Sequence, residues 1–360
     1  MQTVIILNII VVILAYFARY KNTRFLFEVS FIIVFLFTAL RFNFGTDYPN
    51  YNQIFKVVSQ SYNITSIDFD NLLLEPAWAI LNYIFEPIGF FGFIIVLSAF
   101  LCHTYYSLIK KHIDPKYYWL GIFIYVFTSD IMWIQFSAIR QALSVAIFIH
   151  SINFLYKKNN PIIFILLNLL GGLFHSSAFF MLPFVFFSFK KIKESKIIGI
   201  AILTVFLSFM FLGKTYLSQF IEISSLFTGD RYLSRFEVEA TSKISLIGSI
   251  AWGILLVIVL YYSRLQQKNK KIFFYTASLY NMVYVLAPLF YLADRIGYYF
   301  AAFSVIVYPI IIQNEKRLLI RNGLVFIFLF FIIYRLNLFL KLIWVINGYS
   351  EYHTIFSETF

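Results

Sequence analysis

GFFGFIIVLSAFLCHTYYSLI, residues 89–109, runs straight into Lys110, Lys111 and His112, and this stretch decides the fold. It has the roughly 20 apolar residues that a helix needs to cross a hydrocarbon core, and its basic end marks the cytoplasmic side. Runs of the same kind recur along all 360 residues, which are 61% hydrophobic and 13% charged, with mean hydropathy +0.80. Soluble domains carry about a quarter charged residues, so the chain reads as an all-α, polytopic integral membrane protein. A transmembrane β-barrel is excluded, because barrel strands alternate in short segments whereas these runs are continuous. The single cysteine, Cys102, leaves no disulfide framework and no cysteine metal site. The net charge of +12 is spread over short loops between apolar runs, as positive loops facing the cytoplasm would be, so no nucleic-acid partner is expected.

Working outward from that stretch, the basic clusters order the whole chain. Spans are expected at about Val4–Ala18, Phe25–Leu40, Gly89–Ile109, Tyr117–Trp133 and Ala138–Tyr156, then at Ile197–Leu212, Ile244–Tyr262, Ile272–Leu292, Ile296–Ile312 and Gly323–Leu340. The first run lacks a basic leader and a small-residue cleavage site, so it reads as a retained span. Glu75–Phe85 reads as an amphipathic or re-entrant helix with Glu75 as its cap, because Pro76 suits a first turn. A short outer turn is expected around Asp130 and Gln135, with Ser137 capping the next helix. Residues 161–189 are too long for one span and are broken by Gly171-Gly172, which predicts a re-entrant or broken helix pair. The count is about 11–12 transmembrane segments in one integral membrane domain, 1–360. Both termini and two long loops, 41–74 and 213–243, then lie on the outer face.

Under this topology the polar outliers gather at that face. Residues 41–51, RFNFGTDYPNY, bring Arg41, Asp47, Tyr48 and Tyr51 to the end of a span, and Gly45 permits a turn with positive φ. Arg140 is expected about one turn inside a helix, with Ser137, Ser144 and Ser151 sharing its face at helical spacing and Gln141 beside it. A charge there costs about 2.5–3.5 kcal/mol against lipid, so it should face a polar cavity. His175 follows the double glycine, at a bend where a neutral imidazole could accept a proton. Asp294-Arg295 adds a third outward arginine. Three arginines that cannot lose their proton suit a pyrophosphate, and His175 or Asp47 could take a proton from a sugar hydroxyl. Asp68-Phe69-Asp70 is a weak D-x-D signal, and no metal or other cofactor is expected.

These residues resemble the EpsG family, the Wzy-like polymerases of bacterial polysaccharide export. The likeness rests on Arg41 with Gly45-Thr46-Asp47-Tyr48 and Tyr51, then Glu75-Pro76, Ile139-Arg140-Gln141-Ala142, Phe174-His175-Ser176-Ser177 and Asp294-Arg295, in that order. It implies a GT-C-like membrane glycosyltransferase of the bacterial cytoplasmic membrane with an outward-facing site. Such enzymes join repeat units carried on undecaprenyl pyrophosphate into O-antigen, capsule or exopolysaccharide. The roles expected are His175 or Asp47 as the catalytic base, and Arg41, Tyr48, Tyr51, Arg140, Gln141, Asp294 and Arg295 on pyrophosphate and glycan. The partners expected are the undecaprenyl-pyrophosphate-linked oligosaccharide, the bilayer, and a chain-length regulator and flippase of the same pathway. The alternatives are a polysaccharide-unit flippase or transporter, which should carry midplane polar groups and often inverted repeats, and an O-antigen ligase-like glycosyltransferase. An outer-surface acyltransferase would also need a base and a polar cavity.

Overall fold

The computed structural model describes residues 2–60, 75–156, 160–188, 246–266, 268–286, 292–349 and 351–356. The expected span 197–212, the loop 213–243, and Asp68 and Asp70 lie outside the described residues. What is described is almost entirely helical, and four helices are long and apolar enough to cross a membrane: Lys21–Ala39, Glu86–His112, Arg295–Asn314 and Leu318–Leu340. A fifth span is a pair, Pro115–Phe127 with Ser129–Ser137, bent by 56°. Shorter apolar helices include Gln2–Phe17, Pro161–Phe174 and Ala251–Ser263. The chain is an all-α polytopic membrane protein.

Two compact units are found. The first comprises residues 1–147, 170–175 and 308–360. In it α1 (Gln2–Phe17) packs on α2 (Leu26–Ala39), with β1 (Arg41–Phe42), α3 (Tyr48–Ser59), α4 (Pro76–Ile84), α5 (Gly89–His112) and α6 (Tyr118–Phe127) following. Small polar side chains tie the helices, as expected where lipid offers no competing hydrophobic drive. Asn8 donates to the Val126 carbonyl at 3.0 Å and Ser30 to the Val11 carbonyl at 3.2 Å. Helices α2 and α5 are antiparallel: Glu28 at the start of α2 meets Lys110 at the end of α5 at 2.8 Å, while Arg41 beyond α2 reaches Ser98. The basic turns therefore lie at the opposite end of this helix pair from the Arg41 loop, as the charge pattern required.

The region after α6 departs from expectation. Thr128 breaks the helix, Ser129–Trp133 forms a π-turn, and α7 (Ile134–Ser137) follows. Asp130 and Gln135 are buried there and make no outer turn. The physical reason is a buried partner: Asp130 accepts a two-pronged ion pair from Arg335 of α13, a later helix (Leu318–Leu340), at 3.0 and 2.9 Å. Trp133 meanwhile satisfies the Val126 carbonyl freed by the break, at 3.2 Å. Ser137 caps nothing; it ends α7, and its hydroxyl is committed elsewhere.

The second unit comprises residues 148–169 and 176–307. It takes the latter part of α8 (Ile139–Tyr156), most of α9 (Pro161–Phe174), the 3-10 segment Ser176–Ser188, α10 (Leu246–Ser263), α11 (Lys268–Leu286) and the start of α12 (Leu292–Asn314). The predicted break at 171–177 is present, since α9 ends at Phe174 and a tighter helix begins at Ser176. Phe148 is its aromatic hub, edge-on to Phe164, Phe184, Tyr299 and Phe303 at 5.6–6.3 Å. Asn168 donates to Ser151 at 3.0 Å, and the Ser177 and Tyr299 hydroxyls pair at 2.9 Å.

Candidate functional site

Beyond α2 the chain makes a tight polar loop whose second wall comes from the far end of the sequence. Arg41 and Phe42 pair antiparallel with Thr354 and His353 of β2 (His353–Thr354). Asn43 and Gly45 both adopt positive φ, +47° and +112°. A Cβ at Gly45 would lie 2.3 Å from the Phe136 carbonyl oxygen, so no larger residue fits without moving backbone. The Gly45 amide donates to the Gly348 carbonyl at 2.9 Å, at the end of α14 (Ile343–Gly348). Thr46 donates to Ser137 from its amide and hydroxyl, at 3.0 and 2.8 Å. Ser137 in turn pairs with the Tyr349 hydroxyl at 2.5 Å, and Tyr349 donates to the Trp133 carbonyl at 3.0 Å. Phe44 is fully buried among Phe37, Phe136, Tyr349 and Tyr352.

Arg41 lies beneath this loop and is only 2% exposed. It donates to the Thr38 carbonyl, to Ser98 at 3.5 Å and to the Gln135 carbonyl at 3.3 Å, with the Phe136 and Tyr48 rings beside it. Burial lowers its guanidinium to about 10, which leaves it cationic at neutral pH. Its donors hold α2, α5 and α7 under the loop, a positioning geometry. Tyr48 is also buried and donates to the Arg41 carbonyl at 3.3 Å. Asp47, immediately before α3, is exposed.

Arg140 stands differently. It is in the first turn of α8, its side chain is 19% exposed, and its Nη1 donates to Glu75 Oε2, an equally exposed partner. The guanidinium also sits 5.9 Å from the centre of the Tyr51 ring. Burial raises the Tyr51 phenol, with the Arg140 cation opposing the shift and Asp47 adding to it, so all three groups share one field. Glu75 was expected to cap α4; it precedes Pro76 but makes no cap bond, because its carboxylate is taken by Arg140.

The serines that follow Arg140 on its helix, Ser144 and Ser151, are both hydrogen-bonded within the protein. Ser144 donates to the Gly171 carbonyl at 2.8 Å, and the His175 amide donates to that same carbonyl at 2.9 Å. One backbone oxygen thus ties the Arg140 helix to the turn carrying His175. His175 and Gln141 are both buried. Ser144→Ala is expected to cost about 0.5–1.5 kcal/mol, read as a small fall in thermal midpoint in detergent.

Arg41, Asp47, Tyr48, Tyr51, Arg140, Gln141 and His175 all fall in the first unit. Asp294 and Arg295 belong to the second, in the first turn of α12, where Arg295 is half-buried. Glu86 is exposed in a 3-10 turn. No group of three His, Cys, Asp or Glu side chains among the described residues could hold a metal ion. The sequence reading missed the Glu75 partner of Arg140 and the C-terminal wall. The first could have been sought as a carboxylate near the membrane face; nothing in the spacing points to the second, because Gly348 is more than 300 residues from Gly45.

The comparisons agree with the motifs. The family model described as EpsG family matches residues 24–354, nearly the whole chain. No curated protein matches, and no solved structure matches.

Proposed function

The chain belongs to the EpsG family, and from that premise we propose that it polymerises a lipid-linked glycan at the outer face of a bacterial cytoplasmic membrane. At family level it is a polysaccharide polymerase-type membrane protein. In the proposed reaction a hydroxyl of the next lipid-linked repeat unit attacks the anomeric carbon of the growing chain. The bond from that carbon to the carrier oxygen breaks, and undecaprenyl pyrophosphate leaves with the electron pair. The hydroxyl proton passes to a base.

One observation carries this reading: Arg140 offers a guanidinium to the edge of the site, beside Tyr51 and in the same field as exposed Asp47. A planar cation with paired donors suits the growing charge on a departing pyrophosphate. Asp47 is the base favoured by access, since His175 is buried and its amide is tied to Gly171. Arg41 supports the loop from below.

A strain lacking this chain is expected to export single repeat units and to lose long glycan, as seen on a gel ladder. A strain that instead retains no exported unit would mark the chain as a flippase. Asp47→Asn is expected to lower chain lengthening about 100-fold with protein level unchanged. If His175→Ala has that effect and Asp47→Asn has none, the base assignment is wrong.

A further inference from the structure

The Glu75 carboxylate is bonded to Arg140 although its sequence position suits a helix cap. Glu75 has extended backbone (ψ 137°) and sits directly before Pro76, yet its side chain makes no cap bond. It reaches instead across 65 positions of sequence to Arg140 Nη1. Each side chain of the pair is 19% exposed, so whatever approaches one approaches the other. A pair buried completely would serve packing alone, and a fully exposed pair would contribute almost nothing. At this intermediate depth an anion arriving at Arg140 meets a resident carboxylate already bonded to it.

Resting on the reading that Arg140 engages pyrophosphate, we propose that Glu75 is its resident counter-ion, a positioning residue that pyrophosphate must displace. With the site empty, Glu75 holds the guanidinium over the Tyr51 ring and prevents it from turning to other acceptors. When pyrophosphate binds, Arg140 exchanges the carboxylate for phosphate oxygens, and the displaced negative charge lies beside the new one. That repulsion weakens the grip on the pyrophosphate carrier after transfer, so Glu75 favours product release. Its neutral amide analogue keeps an oxygen for Arg140 but loses the competing charge.

The test measures binding of inorganic pyrophosphate to the full-length chain in lipid nanodiscs by calorimetry, comparing wild type, Glu75→Gln and Arg140→Ala. Glu75→Gln is expected to bind about tenfold more tightly, Arg140→Ala to lose binding, and in glycan assays Glu75→Gln should lower both KM and kcat. A purely structural role would lower the thermal midpoint and leave affinity unchanged or weaker. Wild-type binding that depends on Arg140 but does not tighten in Glu75→Gln overturns this inference and leaves the pyrophosphate reading standing. Arg140→Ala binding as wild type does, or no binding by wild type, overturns the pyrophosphate reading and this inference with it. Should Glu75→Gln fail to reach the membrane, Glu75→Asp replaces it; its carboxylate is one methylene short of Arg140, and about threefold tighter binding is expected.

Discussion

Arg140→Ala is expected to lower glycan chain lengthening about 10³-fold while the chain still reaches the membrane. In the proposed reaction the variant loses a positioned charged donor where transition-state charge grows, and such a loss is worth about 10²–10³ in rate. Removing the guanidinium also leaves Glu75 without its partner, but that carboxylate is 19% exposed and water can solvate it. The cost should therefore fall mainly on rate and little on stability. Arg140→Lys separates charge from geometry: it keeps the cation and loses the two-pronged fork, and about a tenfold loss is expected. Long glycan on a gel ladder, normalised to the protein in the membrane fraction, reads both variants. Full-length product from Arg140→Ala would remove this residue from the site.

The second large effect is a packing effect at Gly45. Gly45→Ala places a methyl 2.3 Å from the Phe136 carbonyl oxygen and forces a residue with a Cβ into a backbone φ of +112°. The loop must move, which breaks the hydrogen bond to Gly348 and carries Thr46 away from Ser137. Loss of activity below detection is expected, together with faster protease cleavage between residues 341 and 356. Gly348→Ala should act in the same way, since its Cβ would lie 2.5 Å from the Thr46 methyl and 2.9 Å from its amide. Gly89→Ala is the control. Its φ is also positive, +70°, but nothing lies within 4 Å, so only a conformational cost of about 1 kcal/mol is expected. A normal protease pattern and normal activity in Gly45→Ala would mean that the C-terminal wall is dispensable.

Both predictions rest on features of different legibility. The apolar run at 89–109 with Lys110 and Lys111 behind it is enough to identify a spanning helix, and α5 occupies that place. The double glycine at 171–172 foretold a break, and α9 runs through it to end two residues later, at Phe174. Loop charge, a property of each loop by itself, put Arg41 and Arg140 at the ends of apolar runs, and Arg41 lies just beyond α2 and Arg140 in the first turn of α8. The turn around Asp130 failed for the opposite reason. A short polar stretch between apolar runs reads as a loop unless its partner is known, and Arg335 lies 205 positions away.

By itself, then, the sequence determined the class: a helical membrane protein, its spanning runs, the sorting of its charges, and family motifs lying in order along one chain. Composition and local periodicity suffice for that, because the bilayer acts on each segment separately. Tertiary structure decided which polar groups meet. It buried Arg41 as a clamp and left Arg140 at the edge with Glu75 as its partner. It built the second wall of the Arg41 loop from Gly348, Tyr349 and Tyr352. Those contacts depend on hydrogen-bond geometry between segments hundreds of residues apart, and no local pattern in the sequence encodes it.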